Sequence, residues 1–456
     1  MRKFFRTLSL TVLGLISTDT LMAKEGKKAK PNFVVIMADD LGYGDVAYQW
    51  DTEFDTPHIN KIAEAGAQFT TGYVTAPVCS PSRAGLQTGR YQQRFGAEDN
   101  PGPFRQAEGI VPGIPTSEKN MAEQLKPYGY TSALIGKVHQ TATAEMNPFN
   151  RGYDRYYGFM NGASSYFYDM EENGKAQFFD NDKVVSKEDE YLTDAFGREA
   201  CAFIDEHADK PFLLYVPFNA IHGPLQARPD DIKKYQHIQD VKRRKAAAMM
   251  WRMDVNIGRI VDKLAEKDLM DNTMIIFLSD NGGTGRDGGN TSINGPLNGK
   301  KGQLLEGGIR VPFLLQYNGQ VAAGTKIETP VQSIDILPTL LTAAGAAVPE
   351  NLDGKDLLNI IENEGSNEDR YLYWRFLYQW GIRDHEWKLV KLKGPKNPVA
   401  LYNLKEDMGE SRNVIKEHPE VAKRLQKAFD DWSGDMMDPQ WSWQPKFGGP
   451  VKVPMK

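Results

Sequence analysis

Phe33-Val34-Val35-Ile36-Met37-Ala38-Asp39-Asp40 is an unbroken apolar run that ends in two adjacent carboxylates. A run without polar alternation is expected of a strand covered on both faces. Four more runs read the same way, at residues 132–136, 212–216, 273–278 and 312–317. Helical patterns lie between them, at residues 58–67, 117–126, 192–207, 240–267 and 335–344. Strands alternating with helices predict an α/β fold, with a large, mainly parallel central sheet flanked by helices. In such sheets ligands collect outside the carboxyl ends of the strands. Four of the five runs deliver polar residues there: Asp39-Asp40, Lys137-Val138-His139, His222, and Ser279-Asp280-Asn281.

Beyond residue 363 the texture changes. Residues 364–369 are polar and read as a linker. Short aromatic-rich runs follow at 371–374, 387–390 and 401–402, then a helical pattern at 419–432. They predict a smaller C-terminal subdomain of antiparallel strands plus a helix, with the boundary at 365/366. The tail at 434–456, rich in Pro, Trp and Gly, reads as a surface segment.

Residues 1–23 carry Arg2, Lys3 and Arg6, a short apolar core, and Leu21-Met22-Ala23 as a cleavage site, the pattern of a secretory signal peptide. The apolar core is too short to span a bilayer, and no second hydrophobic span follows. A secreted or periplasmic enzyme is expected, with no membrane contact after cleavage. The 456 residues carry a net charge of −5. Loss of residues 1–23 removes three basic residues and one acidic, which makes the balance −7. An acidic surface argues against nucleic acid as a partner. A polyanionic substrate would have to be held by local Arg, Lys and His in a cleft. The two cysteines are Cys79 and Cys201. The second lies on a helical pattern and reads as a small buried hydrophobe.

Adjacent carboxylates repel, and a cation between Asp39, Asp40, Asp280 and Asn281 is the simplest way to keep the acids ionised. Oxygen ligands alone suit a hard ion, Ca²⁺ or Mg²⁺. A second constellation is Cys79-Ser80-Pro81-Ser82-Arg83, running on to Thr88-Gly89-Arg90. Pro81 fits the first turn of a helix. Residue 79 would then sit at a helix N-terminus, a setting suited to an oxyanion, with Arg83 one turn away.

This stretch resembles the C-x-P-x-R signature of type I sulfatases, of the alkaline phosphatase superfamily. Further matches are Asp39-Asp40-Leu41-Gly42-Tyr43-Gly44, Gly136-Lys137-Val138-His139, Asn219-Ala220-Ile221-His222-Gly223-Pro224, Ser279-Asp280-Asn281-Gly282 and the block from Lys301-Gly302-Gln303 to Arg310-Val311-Pro312. Gln303 departs from the usual Thr. The resemblance implies that a maturation enzyme oxidises Cys79 to formylglycine, whose hydrate attacks sulfur with one hydroxyl and expels sulfate through the other. It implies one Ca²⁺ per chain on Asp39, Asp40, Asp280 and Asn281. Arg83 and Lys137 would hold the hydrate, and His139 would act as base for the elimination. Lys301 and His222 would bind sulfate, His222 also protonating the leaving oxygen. Glu306 and Arg310 are expected to be structural.

The implied substrate is a sulfated carbohydrate, either an algal galactan such as carrageenan or a glycosaminoglycan. Candidates for sugar contact are Arg105, Tyr166, Tyr168, Arg228, Trp251, Arg286, Trp374, Arg375 and His385. Two other readings stay open. One is a formylglycine-dependent phosphonate or phosphate ester hydrolase. The other is a non-catalytic protein that binds sulfated glycan.

Overall fold

A computed structural model describes residues 30–442 except 103–104, 107–108, 168–176, 187–188, 365–369 and 395. The expected leader at 1–23, most of the linker at 364–369 and the tail beyond 442 lie outside the described residues.

Among the described residues, ten strands form one sheet. Its central strands run in parallel in the order Thr273–Ser279, Asn32–Ala38, Phe212–Pro217, Thr131–Lys137 and Arg155–Phe159. Four of these five are the polar-ended runs of the sequence. Their side chains alternate between two cores. Val34 and Ile36 pack with the helices Pro57–Ala65, Leu192–His207 and Val241–Glu266. Phe33, Val35 and Met37 pack on the opposite face, with Met121–Leu125, Ile336–Ala343 and Leu357–Glu362. Burial on both faces is what the absence of polar alternation encodes.

Phe313–Tyr317 is the exception in direction: it pairs antiparallel with Thr273–Ser279. An apolar run reports burial, not orientation. The helix expected from residue 117 begins only at Met121. Asn120 caps it, in a reciprocal capping box with Glu123.

The C-terminal sheet is four antiparallel strands, Leu372–Phe376, Gln379–Arg383, Trp387–Lys391 and Ala400–Asn403. Its period-2 pattern serves two partners. Trp380, Ile382 and Leu389 face the helix Pro419–Gly434, with the Trp380 and Phe429 rings stacked 4.7 Å apart. Leu372, Trp374 and Val390 face the other way, onto Tyr73, Val78, Leu304 and Ile309. A buried ionic cluster crosses this second interface. Lys388 Nζ lies 2.9 Å from both Glu306 Oε1 and Glu410 Oε1, and all three side chains are fully buried. Glu306 also accepts the Tyr73 hydroxyl and pairs with Arg310, which gives it the structural role expected of it.

Residues 434–438 lie at the surface as expected, and the tail reading is corrected for residues 439–442. Trp441 is buried among Ala84, Phe95, Ala97 and Ile114, and Trp441–Ser442 pairs with Arg105–Gln106. Its indole N–H also reaches the Asp99 carbonyl at 2.8 Å. Aromatic content in a Pro-rich segment here marks an anchor. Both cysteines are free, and Cys201 is half-buried rather than buried.

Candidate active site

Parallel register brings the acidic residues together. Ala38 pairs with Ser279, so Asp39-Asp40 and Asp280-Asn281 leave the sheet side by side. Asp40 adopts a left-handed conformation (φ 61°), and its N–H donates to Asp280 Oδ1 at 3.1 Å. The helix Cys79–Thr88 begins over this point and is buried along its whole length. Pro81 stands in its first turn, where no intrahelical N–H is needed. No side chain caps the helix from Val78. Instead Ser80 N–H donates to Asn100 Oδ1 at 3.0 Å. Cys79 Sγ lies 3.6 Å from Asp39 Oδ1, 3.9 Å from Asp40 Oδ1 and 3.3 Å from Lys301 Nζ.

Three cations meet the three carboxylates. Arg83 holds Asp280 Oδ2 through Nε and Nη2, at 2.9 and 2.7 Å, and donates through Nη1 to the Lys137 carbonyl. Lys137 Nζ sits 2.5 Å from Asp39 Oδ2, and Lys301 Nζ sits 2.6 Å from Asp40 Oδ1. Burial alone would raise the Asp39 carboxyl. Lys137, His222, Arg83 and Lys301 outweigh it and hold that group well below the usual carboxylate range. Asp280 goes the other way, up to about 6, through burial and then the Asp39 charge. Burial, followed by Asp280, pushes the Cys79 thiol far up, so the site does not favour a thiolate.

The two histidines differ. His222 Nδ1 lies 2.7 Å from the Gly223 carbonyl, which can only accept, so Nδ1 carries the hydrogen. Nε2 then faces the site, 3.8 Å from Asp40 Oδ2. Tyr166 supports this loop through its hydroxyl, which donates toward the Asn219 and His222 carbonyls. His139 has φ 61° and a buried Nδ1 without a hydrogen-bond partner. Its ring is packed against Gly162, where a Cβ would stand 2.6 Å from Nε2. Burial and then the Lys137 charge lower both imidazoles, leaving them neutral near pH 7.

The donor set fits a hard divalent cation. Asn281 Nδ2 is engaged by Asp40 Oδ1 and the Gly282 carbonyl, while its Oδ1 is buried with no partner. One atom each of Asp39, Asp40, Cys79 and His222 lies within 4.8 Å of the others. Three carboxylates against three cations leave no net charge. A divalent ion added to that balance would leave the site positive toward an anionic ester.

The structure therefore brings Asp39, Asp40, Asp280, Asn281, Cys79, Arg83, Lys137, His222 and Lys301 into one contact network, with His139 beside Lys137. The sugar-contact candidates scatter. Tyr166 is buried in support of His222. Trp374 is buried with its N–H on the Val74 carbonyl, and Arg375 is buried on Glu98. None of these three faces solvent. Arg228 pairs with Asp194, and Trp251 takes Lys234 Nζ over its ring at 3.8 Å. His385 is half-buried, its carbonyl accepting from Arg383. Arg286 is exposed, on the loop between Asn281 and Lys301. The Arg105 side chain and Tyr168 lie outside the described residues. Sequence reading missed Asn100 and Tyr166 as supports, because both act across long separations that no local pattern signals.

The Sulfatase family model matches residues 31–346, and the model for the N-sulphoglucosamine sulphohydrolase C-terminal region matches residues 300–434. A protein named sulfatase from Formosa agariphila is 28% identical, covering 92% of this chain and 90% of its own. Mouse N-acetylgalactosamine-6-sulfatase is 30% identical over 80% of this chain and 71% of its own. Among solved structures, Ps i-CgsB in complex with k-i-k-neocarrahexaose is 35% identical, with a TM-score of 0.84, covering 91% of this chain and 95% of that one.

Proposed function

The chain belongs to the sulfatase family and is a sulfuric ester hydrolase, and on that premise we propose that it removes sulfate from a carrageenan-type sulfated galactan. The proposal includes formylglycine made from Cys79 by a maturation enzyme, and one Ca²⁺. The observation that carries it is the single network in which buried Cys79, three buried carboxylates, Arg83 and Lys137 meet the partly exposed Lys301 and His222. The galactan is favoured over a glycosaminoglycan by the likeness to Ps i-CgsB in complex with a neocarrahexaose. Export through residues 1–23 to the periplasm or medium, and a domain boundary at 365/366, belong to the same reading.

Asp39, Asp40, Asp280 and Asn281 would hold the Ca²⁺, which would supply positive charge to the site where the ester reacts. Formylglycine supplies a hydrate with one hydroxyl to attack sulfur and a second whose deprotonation expels sulfate. Arg83 and Lys137, held on Asp280 and Asp39, would hold the hydrate at position 79 and offset its charge. Lys301, beside Cys79, offsets charge on the sulfuryl group in the transition state. His222 Nε2 is the nitrogen turned to the site; with Nδ1–H held on the Gly223 carbonyl, it would deliver a proton to the departing sugar oxygen as the imidazolium, the form that Asp39, Asp40 and an arriving sulfate anion favour. His139 Nδ1, neutral and without a partner, takes the proton of the second hydroxyl.

His222→Ala is expected to lower kcat on a carbohydrate sulfate by roughly 10²–10⁴-fold. The loss is smaller on 4-nitrophenyl sulfate, whose leaving group needs no proton. Equal losses on both would contradict the acid role. Removal of calcium by EGTA is expected to abolish sulfate release and lower the unfolding midpoint. At a hundredfold excess of Ca²⁺ over its Kd, binding adds about 2.7 kcal/mol of stability. Both properties should return with Ca²⁺.

A panel of defined sulfated galactan oligosaccharides, followed by sulfate release, tests the function itself. Release from at least one, with 4-nitrophenyl sulfate preferred over 4-nitrophenyl phosphate, is the expected outcome. Preference for the phosphate would favour the phosphoester reading. Tight binding without release by matured protein would favour the binding reading.

A further inference from the structure

The strand pair Leu372–Phe376 and Gln379–Arg383 turns through Leu377-Tyr378. Leu377 holds φ 55°, a left-handed conformation that costs energy for a branched side chain and persists only where its surroundings enforce it. Three contacts enforce it here. The Leu377 side chain is buried in one cluster with Val78, Leu304 and Leu305. Its N–H donates to Glu98 Oε2 at 3.3 Å. Gln379 Nε2 donates to the Gly302 carbonyl at 2.8 Å.

Each of these partners connects to a segment that carries or supports the nucleophile. Val78 precedes Cys79. Gly302 follows Lys301, whose ammonium is 3.3 Å from Cys79 Sγ, and its own N–H donates to the Pro77 carbonyl. Glu98 is two residues from Asn100, which takes the Ser80 N–H. The turn is thus pinned beside the nucleophile from both sides.

At its tip the pattern reverses. Tyr378 is 43% exposed, one of few large apolar side chains so open among the described residues. Trp387–Lys391 leaves the sheet at the same edge, and exposed Lys393 places Nζ 5.8 Å from the Tyr378 ring centroid. An exposed ring with an ammonium over one face matches a sulfated sugar: C–H bonds of the pyranose pack on the other face and the sulfate meets the cation at the ring edge. Holding such a ring on a strained, anchored turn spares the entropy of ordering it on binding.

We propose that Tyr378 and Lys393 form a subsite at the rim of the active site, taking a sulfated sugar residue next to the one that is desulfated. Tyr378 stacks on that sugar and Lys393 pairs with its sulfate. This subsite rests on the galactan reading above. It makes the C-terminal subdomain a determinant of substrate length: Tyr378 adds binding only when a second sugar is present.

The test uses full-length matured enzyme, a sulfated neocarrahexaose and 4-nitrophenyl sulfate. Tyr378→Ala is expected to raise KM for the hexasaccharide roughly tenfold with little change in kcat. The aryl sulfate, which has no second sugar, should show no such rise. Tyr378→Trp should restore the lower KM, and Lys393→Met should raise KM and weaken its salt dependence. Unchanged KM for the hexasaccharide in Tyr378→Ala, or equal losses on both substrates, would overturn the subsite. If the wild type releases no sulfate from the hexasaccharide, calorimetric titration separates the two claims. Binding that Tyr378→Ala weakens tenfold keeps the subsite while the galactanase-type desulfation fails. No binding by the wild type overturns both.

Discussion

Cys79→Ser is expected to lose turnover by at least about 10⁴-fold on any sulfate ester. The substitution is small and the position is buried, so the fold should survive it. Serine would keep an oxygen beside Asp39, Asp40 and Lys301, and could attack sulfur once. It has no second hydroxyl on the same carbon, and so no internal route to expel sulfate. Cys79→Ala is expected to lose as much without that single attack. A burst of one alcohol per chain in Cys79→Ser, absent in Cys79→Ala, would be read by rapid-quench kinetics. Steady turnover by the serine variant near the wild-type rate would contradict the two-hydroxyl account.

The second large effect is on stability. Lys388→Met removes the cation between Glu306 and Glu410, both fully buried. Burial already raises the Glu410 carboxyl to about 7 in spite of Lys388, whereas Glu306 is held down at about 2 by Lys388, Arg310 and Arg383 against its own burial. Without the ammonium the two acids face each other in a dry interface. Breaking a buried pair from one side costs about 3–5 kcal/mol. The cost should appear as a lower denaturant midpoint of unfolding. Lys388→Met with Glu410→Gln should recover part of it, because one of the stranded charges is gone. An unchanged midpoint in Lys388→Met would mean that water reaches the cluster. The Glu306 N–H donates to Glu410 Oε2 at 2.6 Å, so the same cluster also steadies the segment that follows the Lys301 loop.

The sheet and the catalytic edge were legible for one physical reason. Strands buried on both faces cannot alternate, and their ends are where polarity must return. Residues 33–40 and 273–281 therefore announced both the core and the carboxylates. Their side-by-side placement needed only parallel register, which the Ala38–Ser279 pairing supplies. Direction was not legible at 313–317, since apolar content is the same either way along the chain. The sugar-contact candidates fared worst. Trp374 and Arg375 lie on a strand whose two faces are both covered, and sequence could not say that the C-terminal sheet had two partners. Trp441 was hidden by the Pro-rich segment around it. Tyr378 went unnoticed because nothing local separates an exposed turn aromatic from a buried strand one.

The most direct measurement is the mass of the tryptic fragment ending at Arg83 and spanning position 79, taken from enzyme whose active fraction has been titrated. The account predicts a residue that has lost sulfur and two hydrogens and gained one oxygen, in proportion to the active sites. Fully active enzyme whose fragment still carries an intact cysteine thiol at position 79 would contradict it.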